Sequence, residues 1–471
     1  MEKPNKNKTQ IKMKKPQKIQ LSRCYRLFLF FIMINIDGTM DISSGIFSSS
    51  AKQIKKQLKL NDAKFGGFGT ASSIGRIISS FLFFFLNQKV NRKYFIIILL
   101  SLHSLFLFCF KFTDNFHILI VLRSLHGVTQ TSPSIYIPVW INQFGLSEYK
   151  TVQITSIQLS QAIGKLLGHF IIIIIGFENW QNGFIISGTY LLILAFCCLI
   201  SNENYFSKSL YPRKNGNDEE INSDCTIFEE QEINKKKENR NYFLDLMSLL
   251  KNPLYILSLI CRSIIRGLIT CLHYWFSDFL RNLLKDEKPL TITISYGIIC
   301  FTGPFGGIIA NSLLKPFFGS YESRKSSFPL IVLQIIASIF AITIGLMRTL
   351  ISICSVTILF LIFNSSVIAL VQGILISCVD KDLSATGFAF ANACTQILTA
   401  GPTPMIYGMI NDKFKDVYPW LAMLILMSLN LLAVPLLIVL AILRNQKFDE
   451  MKEEKEKELI EINDDKNKND E

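Results

Sequence analysis

Several charged side chains of this sequence stand inside long apolar runs, and their types and spacing define the chemistry on offer. Arg262 and Arg266 are four residues apart, so on a helix they share one face. Two guanidinium groups so placed repel unless an anion lies beside them or each finds an internal acid. Arginine holds carboxylate and phosphate in a two-pronged geometry, so the pair is a candidate clamp for an anionic head group. Asp37 and Asp41 are also four apart. Burial disfavours their charged form and a neighbouring arginine favours it. Asp37 is therefore either a proton-coupling group or half of a permanent ion pair with Arg76 or Arg123. Lys165 lies between Gly164 and Gly168, a spacing that lets another helix approach, and it either lines a cavity or pairs with an acid. Arg123, His126 and Gln130 form a polar stripe, with Arg123 and Gln130 as further substrate contacts.

An ionisable group in hydrocarbon costs at least about 2.5 kcal/mol, so those that persist usually face a cavity and work there. At a rise of about 1.5 Å per residue, Asp37 and Arg76 sit roughly 18 Å into their runs and Lys165 about 21 Å. Arg262 and Arg266 come at roughly 13 and 20 Å, and Arg123 about 9 Å from the outer face. Five of the six groups are near the bilayer middle.

The runs that carry these groups have the length that crosses about 30 Å of hydrocarbon. The chain has 471 residues, half of them hydrophobic, with 38 Phe. Spans are expected at about 25–47, 64–86, 94–112, 117–142, 151–175 and 182–201, then at about 253–280, 290–315, 328–347, 350–377, 383–409 and 419–443. Segment 1–24 is a basic, disordered cytosolic N-terminus, 25–201 one six-helix bundle and 202–250 a charged cytosolic linker. A second six-helix bundle covers 251–443, and 444–471 is a charged cytosolic tail. The fold class expected is an all-α membrane protein of twelve transmembrane helices in two bundles. The net charge of +13 gathers at the N-terminus and in short loops, which is the positive-inside pattern and no sign of nucleic acid. It places both termini in the cytosol and leaves plasma membrane and endolysosomal membrane undistinguished.

Other signals resolve into structure. The 11 Cys fall mostly inside apolar runs without metal spacing, so no metal and no cofactor is expected. Gly66-Gly67-Phe68-Gly69 opens a span with no strand before it, so it is a packing feature and no nucleotide loop. His273 and Asp278 have an acyltransferase-like spacing, but five helical positions set them about 140° apart, and an enzyme is not expected. Tyr274 and Trp275 are placed for an interfacial belt or an outer gate. Gly303-Pro304 and Gly401-Pro402 are expected to bend their spans.

The two halves echo each other. Arg92-Lys93 after the second span recurs as Arg324-Lys325 after the eighth, and Trp180 before the sixth as Trp420 before the twelfth. Parallel repeats of this kind belong to transporters with a site at the repeat interface. The loop ending in Asn91, Arg92 and Lys93 is similar to the basic gate loop of the major facilitator superfamily, with Gln88 where an Asp is usual. Within it the chain resembles the spinster-like group at Asp37, at Arg123 to Gly127, at Lys251-Asn252-Pro253 and at Gly401 to Pro404 with Tyr407-Gly408. Gly38 and Gln130 depart from that pattern, which carries Arg and Glu there. The resemblance implies a monomeric transporter in a lipid bilayer that moves a small organic solute by alternating access, facilitative or proton-coupled. The excess of mid-depth cations points to an anionic or zwitterionic, even lipid-like, substrate. Two alternatives stand beside it: an organophosphate exchanger, and a transport-dead solute sensor.

Overall fold

The computed structural model describes residues 23–86, 90–146, 150–203, 206, 242–319, 323–379 and 384–469, which contain helices and turns and no strand. Gln88, and most of the N-terminal segment and the linker, lie outside the described residues.

The first group of helices is α1 (Arg23–Ser49), α2 (Ala51–Gln57), α3 (Asp62–Leu86), α4 (Arg92–Cys109), α5 (Phe116–Phe144), α6 (Lys150–Ile175) and α7 (Trp180–Ile200). The second is α8 (Tyr242–Lys251), α9 (Pro253–Leu283), α10 (Pro289–Phe318), α11 (Ser327–Leu346), α12 (Leu350–Ser377), α13 (Ser384–Thr395), α14 (Pro402–Phe414), α15 (Leu421–Ser428) and α16 (Ala433–Asn469). Their starts are written in the sequence. The side chains of Asn91, Asn115 and Asn252 accept from the backbone N–H two residues on, which satisfies donors that a helix leaves unpaired. Pro253 follows Asn252 at the first helical position, where its missing N–H costs nothing.

Nine of the described helices are long and apolar enough to cross a membrane. Three further segments, α3, α5 and the α13–α14 pair, are not among the nine. The helices α3 and α5 carry Arg76, then Arg123, His126 and Gln130, while α13 and α14, at 12 and 13 residues, are each too short to cross alone. Within the first group α1 packs along α6 and α3 along α5; between groups, α3 runs against α13 and α14, and α6 against α10.

The α1–α6 seam shows how close these contacts are. A Cβ on Gly164 would stand 1.9 Å from the Gly38 carbonyl oxygen, and one on Gly45 would stand 2.2 Å from that of Lys165. Without side chains there the two backbones touch, and the glycine spacing around Lys165 serves this approach. A Cβ on Gly38 would stand 2.9 Å from the Ser160 carbonyl oxygen, so a larger residue has no room.

The pair α13 and α14 is one crossing with an interruption. Between them Gln396–Ala400 forms a π-helical turn, in which the Gly401 N–H donates to the Gln396 carbonyl at 2.8 Å. Pro404 has no N–H for the Ala400 carbonyl four residues back. Ser73 of α3 donates to that carbonyl instead, at 3.3 Å, and Thr70 donates to Gly401 O at 2.8 Å. The break thus becomes a stitch between the two groups. The other expected bend differs: Gly303-Pro304 lies inside the unbroken helix α10.

The last helix also runs further than its apolar part. Span and tail are continuous from Ala433 to Asn469. Arg444 donates to Ser326 Oγ at 2.9 Å and Arg324 pairs with Asp449, which fixes the start of the tail against the α10–α11 connection.

The seam generates a stability prediction. Gly164→Ala is expected to destabilise the purified protein by about 1–3 kcal/mol, the usual cost of overpacking a tight contact. Gly67→Ala, whose Cβ would meet only Ile120 Cδ1 at 3.8 Å, is expected to melt like the parent in a thermal unfolding scan.

Candidate functional site

A cavity of about 140 Å³ opens between the two groups of helices. Its charged lining is Arg76 from α3, Arg123 from α5, Lys165 from α6, Arg266 from α9, and one acid, Asp41 from α1. Thus four of the five predicted mid-depth or near-mid-depth cations converge on one space, and cations outnumber acids there by four to one.

The partners of these groups divide them. Arg76 Nη2 donates to Gln130 Oε1 at 2.9 Å, and Gln130 Nε2 donates to Asp41 Oδ1 at 3.1 Å. The amide therefore bridges a cation and an anion, accepting from one and donating to the other. Arg76 Nε is buried with no hydrogen-bond partner. The Arg123 guanidinium lies 4.3 Å from the centre of the Phe47 ring, a cation–π geometry, and 3.5 Å from His126 Nδ1. His126 in turn meets Ser43 Oγ at 3.0 Å and packs its ring 4.1 Å from that of His103. Arg266 and Lys165 make no side-chain hydrogen bond or ion pair with any described residue. They line the cavity as free cations, one from each group of helices.

Two predicted site residues lie elsewhere. Arg262 does not share the cavity with Arg266, so the proposed two-arginine clamp is not assembled. It is 1% exposed and held by α13: Nη1 donates to Thr395 Oγ1 at 2.8 Å and Nη2 to Asn392 Oδ1 at 2.7 Å. Small residues let α13 come close enough to supply those acceptors, with Thr399 donating to Ser263 O beside them. Asp37 is also outside the cavity lining. Its carboxylate takes hydrogen bonds from Ser134 Oγ at 2.8 Å and Ser160 Oγ at 3.1 Å, and among the described residues no cation lies within 4 Å of it. The alternative of a permanent ion pair with Arg76 or Arg123 is therefore not formed, and hydroxyls of α5 and α6 answer the carboxylate instead.

The basic loop serves its own group of helices. Asn91 caps α4 and its amide reaches Glu203, while Lys93 Nζ donates to Leu199 O at 2.8 Å and Ser201 O at 2.6 Å. Lys93 thereby satisfies carbonyls at the end of α7. Arg92 begins α4. Asn364 is fully buried with neither amide atom hydrogen-bonded.

At the end opposite the termini the sequence reading missed a polar lock. Lys55 of α2 donates to Asp62 at 2.6 Å and to Asp278 of α9 at 2.8 Å. Lys415, just past α14, donates to the other oxygen of Asp62 at 2.9 Å. Asp412 accepts from the backbone N–H groups of Asp62 and Ala63 at 2.8 and 2.9 Å, so an acid from one group of helices caps a helix of the other. Beneath it Tyr274 donates to Phe65 O at 2.7 Å and Trp275 to Pro404 O at 2.9 Å. Both rings are thus engaged between helices, Trp275 fully buried, and not in a lipid-facing belt. The lock's charges sit at span edges, where single residues read as solvated; only their meeting across the two halves gives them a role. His273 and Asp278 are separated as expected: His273 lines the cavity and Asp278 belongs to the lock.

Comparisons with known proteins agree with this geometry. A sequence profile described as Major Facilitator Superfamily matches residues 31–402. Protein spinster homolog 1 of Xenopus laevis is 22% identical over 426 residues, spanning 85% of this chain and 75% of that protein. The crystal structure of a bacterial homolog to the human lysosomal transporter spinster, inward-facing and unoccupied, superposes with a TM-score of 0.64 at 14% identity, over 90% of this chain and 97% of its own. A xylose transporter from E. coli, partially occluded and inward open, gives 0.64 at 11% identity, over 87% and 98%. A nucleoside transporter gives 0.60 at 13% identity, over 88% and 98%.

The lock generates the prediction here. Partial burial works against the charge of Lys415, but the hydrogen bond and charge of Asp62 outweigh it and raise its pKa above the ordinary 10.5. A raised value in the folded state contributes fully below the unfolded value and is lost only as pH rises through the folded one. The Lys415 arm is therefore expected to hold up to about pH 10, for as long as Asp62 is ionised, which covers pH values above roughly 4. Asp62→Asn should open the distal end, seen as faster labelling of a cysteine placed at Thr270 by an impermeant thiol reagent, in a background without native cysteines. Labelling of the parent should stay flat from roughly pH 6 to 9.

Proposed function

The chain belongs to the Major Facilitator Superfamily, and we propose that it carries a small organic anion, or a zwitterion with a phosphate or carboxylate head, across its membrane by alternating access. It is a multi-pass membrane transporter of spinster type rather than an enzyme. The observation that supports an anionic cargo is the cavity lining of four cations against one acid, with Arg266 and Lys165 unpartnered. A free cation in such a place costs free energy that an anion would offset. Because Arg266 and Lys165 come from different groups of helices, one anion touching both would draw the groups together. That is what a site at the interface of two rocking bundles requires.

In this reading Arg123 keeps Phe47 and His126 as neighbours and shapes the field of the cavity rather than gripping the solute. Arg262 ties α9 to α13 and acts through the position of Arg266. Asp37, held by two hydroxyls and free of any cation within 4 Å, is the candidate for proton coupling. The termini share the cytosolic side and the polar lock faces away from it.

Two outcomes are expected. Arg266→Ala and Lys165→Ala should each lower uptake of a labelled phosphate monoester into proteoliposomes about ten- to a hundredfold, the cost of one charge-assisted hydrogen bond. Uptake of a pentose or a nucleoside with no uptake of any anion would refute the cargo class. Asp37→Asn should remove the pH dependence of uptake between roughly pH 5 and 8; a wild-type profile in that variant would remove Asp37 from the coupling step.

A further inference from the structure

We infer that Asp41 is an internal counter-ion of the anion site in the empty carrier, and that substrate binds in competition with it. The inference rests on the anion-transport reading above and says how the site is kept when no substrate is present. Asp41 is the one acid among the cavity-lining residues. It is 8% exposed, and no cation lies within 4 Å of it among the described residues. Its charge is instead carried to Arg76 by Gln130, whose amide oxygen accepts from Arg76 and whose amide nitrogen donates to Asp41. Arg266 lies within electrostatic reach of both Arg76 and Asp41. Asp41 thus faces Arg76 from α3 through Gln130 of α5, Arg266 from α9, and Asp37 one turn away on α1.

This arrangement is weak by design of its chemistry. A direct arginine–carboxylate pair would form two parallel charge-assisted bonds and would resist exchange. The Gln130 bridge replaces it with one neutral-amide bond at each end. Arg76 retains a buried Nε without a partner, so its donors are under-used in the empty cavity. An incoming anion held by Arg266 and Lys165 that also reaches Arg76 satisfies its unused donors and competes with Asp41 for the same positive field. Gln130 then releases Arg76 and keeps Asp41 as its partner.

The test measures binding to the purified full chain by isothermal titration, with inorganic phosphate, glycerol phosphate and succinate as anions and a pentose as neutral control. Asp41→Asn removes the competing charge and keeps the hydrogen-bonding shape, so anion affinity should rise on the order of tenfold, with no change for the pentose. Asp41→Glu restores the charge and should return affinity towards that of the parent, a rescue that a folding defect would not give. Where Asp41→Asn does not yield monodisperse protein, Asp41→Ser makes the same prediction. Equal or weaker anion binding in the charge-removing variant overturns the inference while leaving the anion reading intact. Anions that bind neither parent nor variant overturn the anion reading, and this inference falls with it.

Discussion

A full positive charge in a low-dielectric interior is the constraint on which the architecture turns. Each buried guanidinium or ammonium group must find an acceptor, an aromatic face, or a space that an anion or water can enter. The protein uses all three. Arg262 has the carbonyls and side chains of α13, Arg123 has the Phe47 ring, and Arg266 and Lys165 have the cavity. Some of the helices that carry or answer these groups, α3, α5 and α13, are not among the nine apolar spans, and α3 and α13 pack against each other at the seam between the two halves. Cost and location are therefore one fact: a polar helix is tolerable only where other helices shield it from lipid.

Much of the fold was legible because it depends on local features. Apolar length set the crossings, Asn before a helix set several starts, and repeated marks in the two halves announced the pairing. The meeting of Arg76, Lys165 and Arg266 is in keeping with their shared depth, since groups at one level of a bundle have few places to point, whereas Arg123 joins them from nearer the outer face. Depth could not separate Arg262 from Arg266. They share a face within about 40°, and that difference decides between the cavity and the acceptors of α13. Nor could depth foresee that Ser134 and Ser160 would answer Asp37, because hydroxyls carry no signature of the partner they will meet.

The distal lock was hidden for a different reason. Lys55, Asp62, Asp278, Asp412 and Lys415 are spread over more than three hundred and fifty positions, and each alone looks like an ordinary loop or helix-end charge. Their meaning lies in contacts between the halves, which periodicity does not report. The same holds for Pro404. The missing N–H was visible in the sequence, but the hydroxyl of Ser73 that takes the vacated carbonyl comes from the opposite half. The spacing of Gly164 and Gly168 was more informative, since a seam with no side chains admits few alternatives to direct backbone contact.

The unbroken helix from Ala433 to Asn469 has a mechanical implication. A rod of 37 residues is about 55 Å long, and less than half of it lies in the apolar layer. Since Arg444 and the Arg324–Asp449 pair brace its midpoint, the protruding arm cannot swivel independently of its bundle. A tilt of a few degrees within the bilayer would sweep the far tip through several ångströms beyond the apolar layer. The carrier would then broadcast its cycle as a moving pointer, legible to anything that touches the tip.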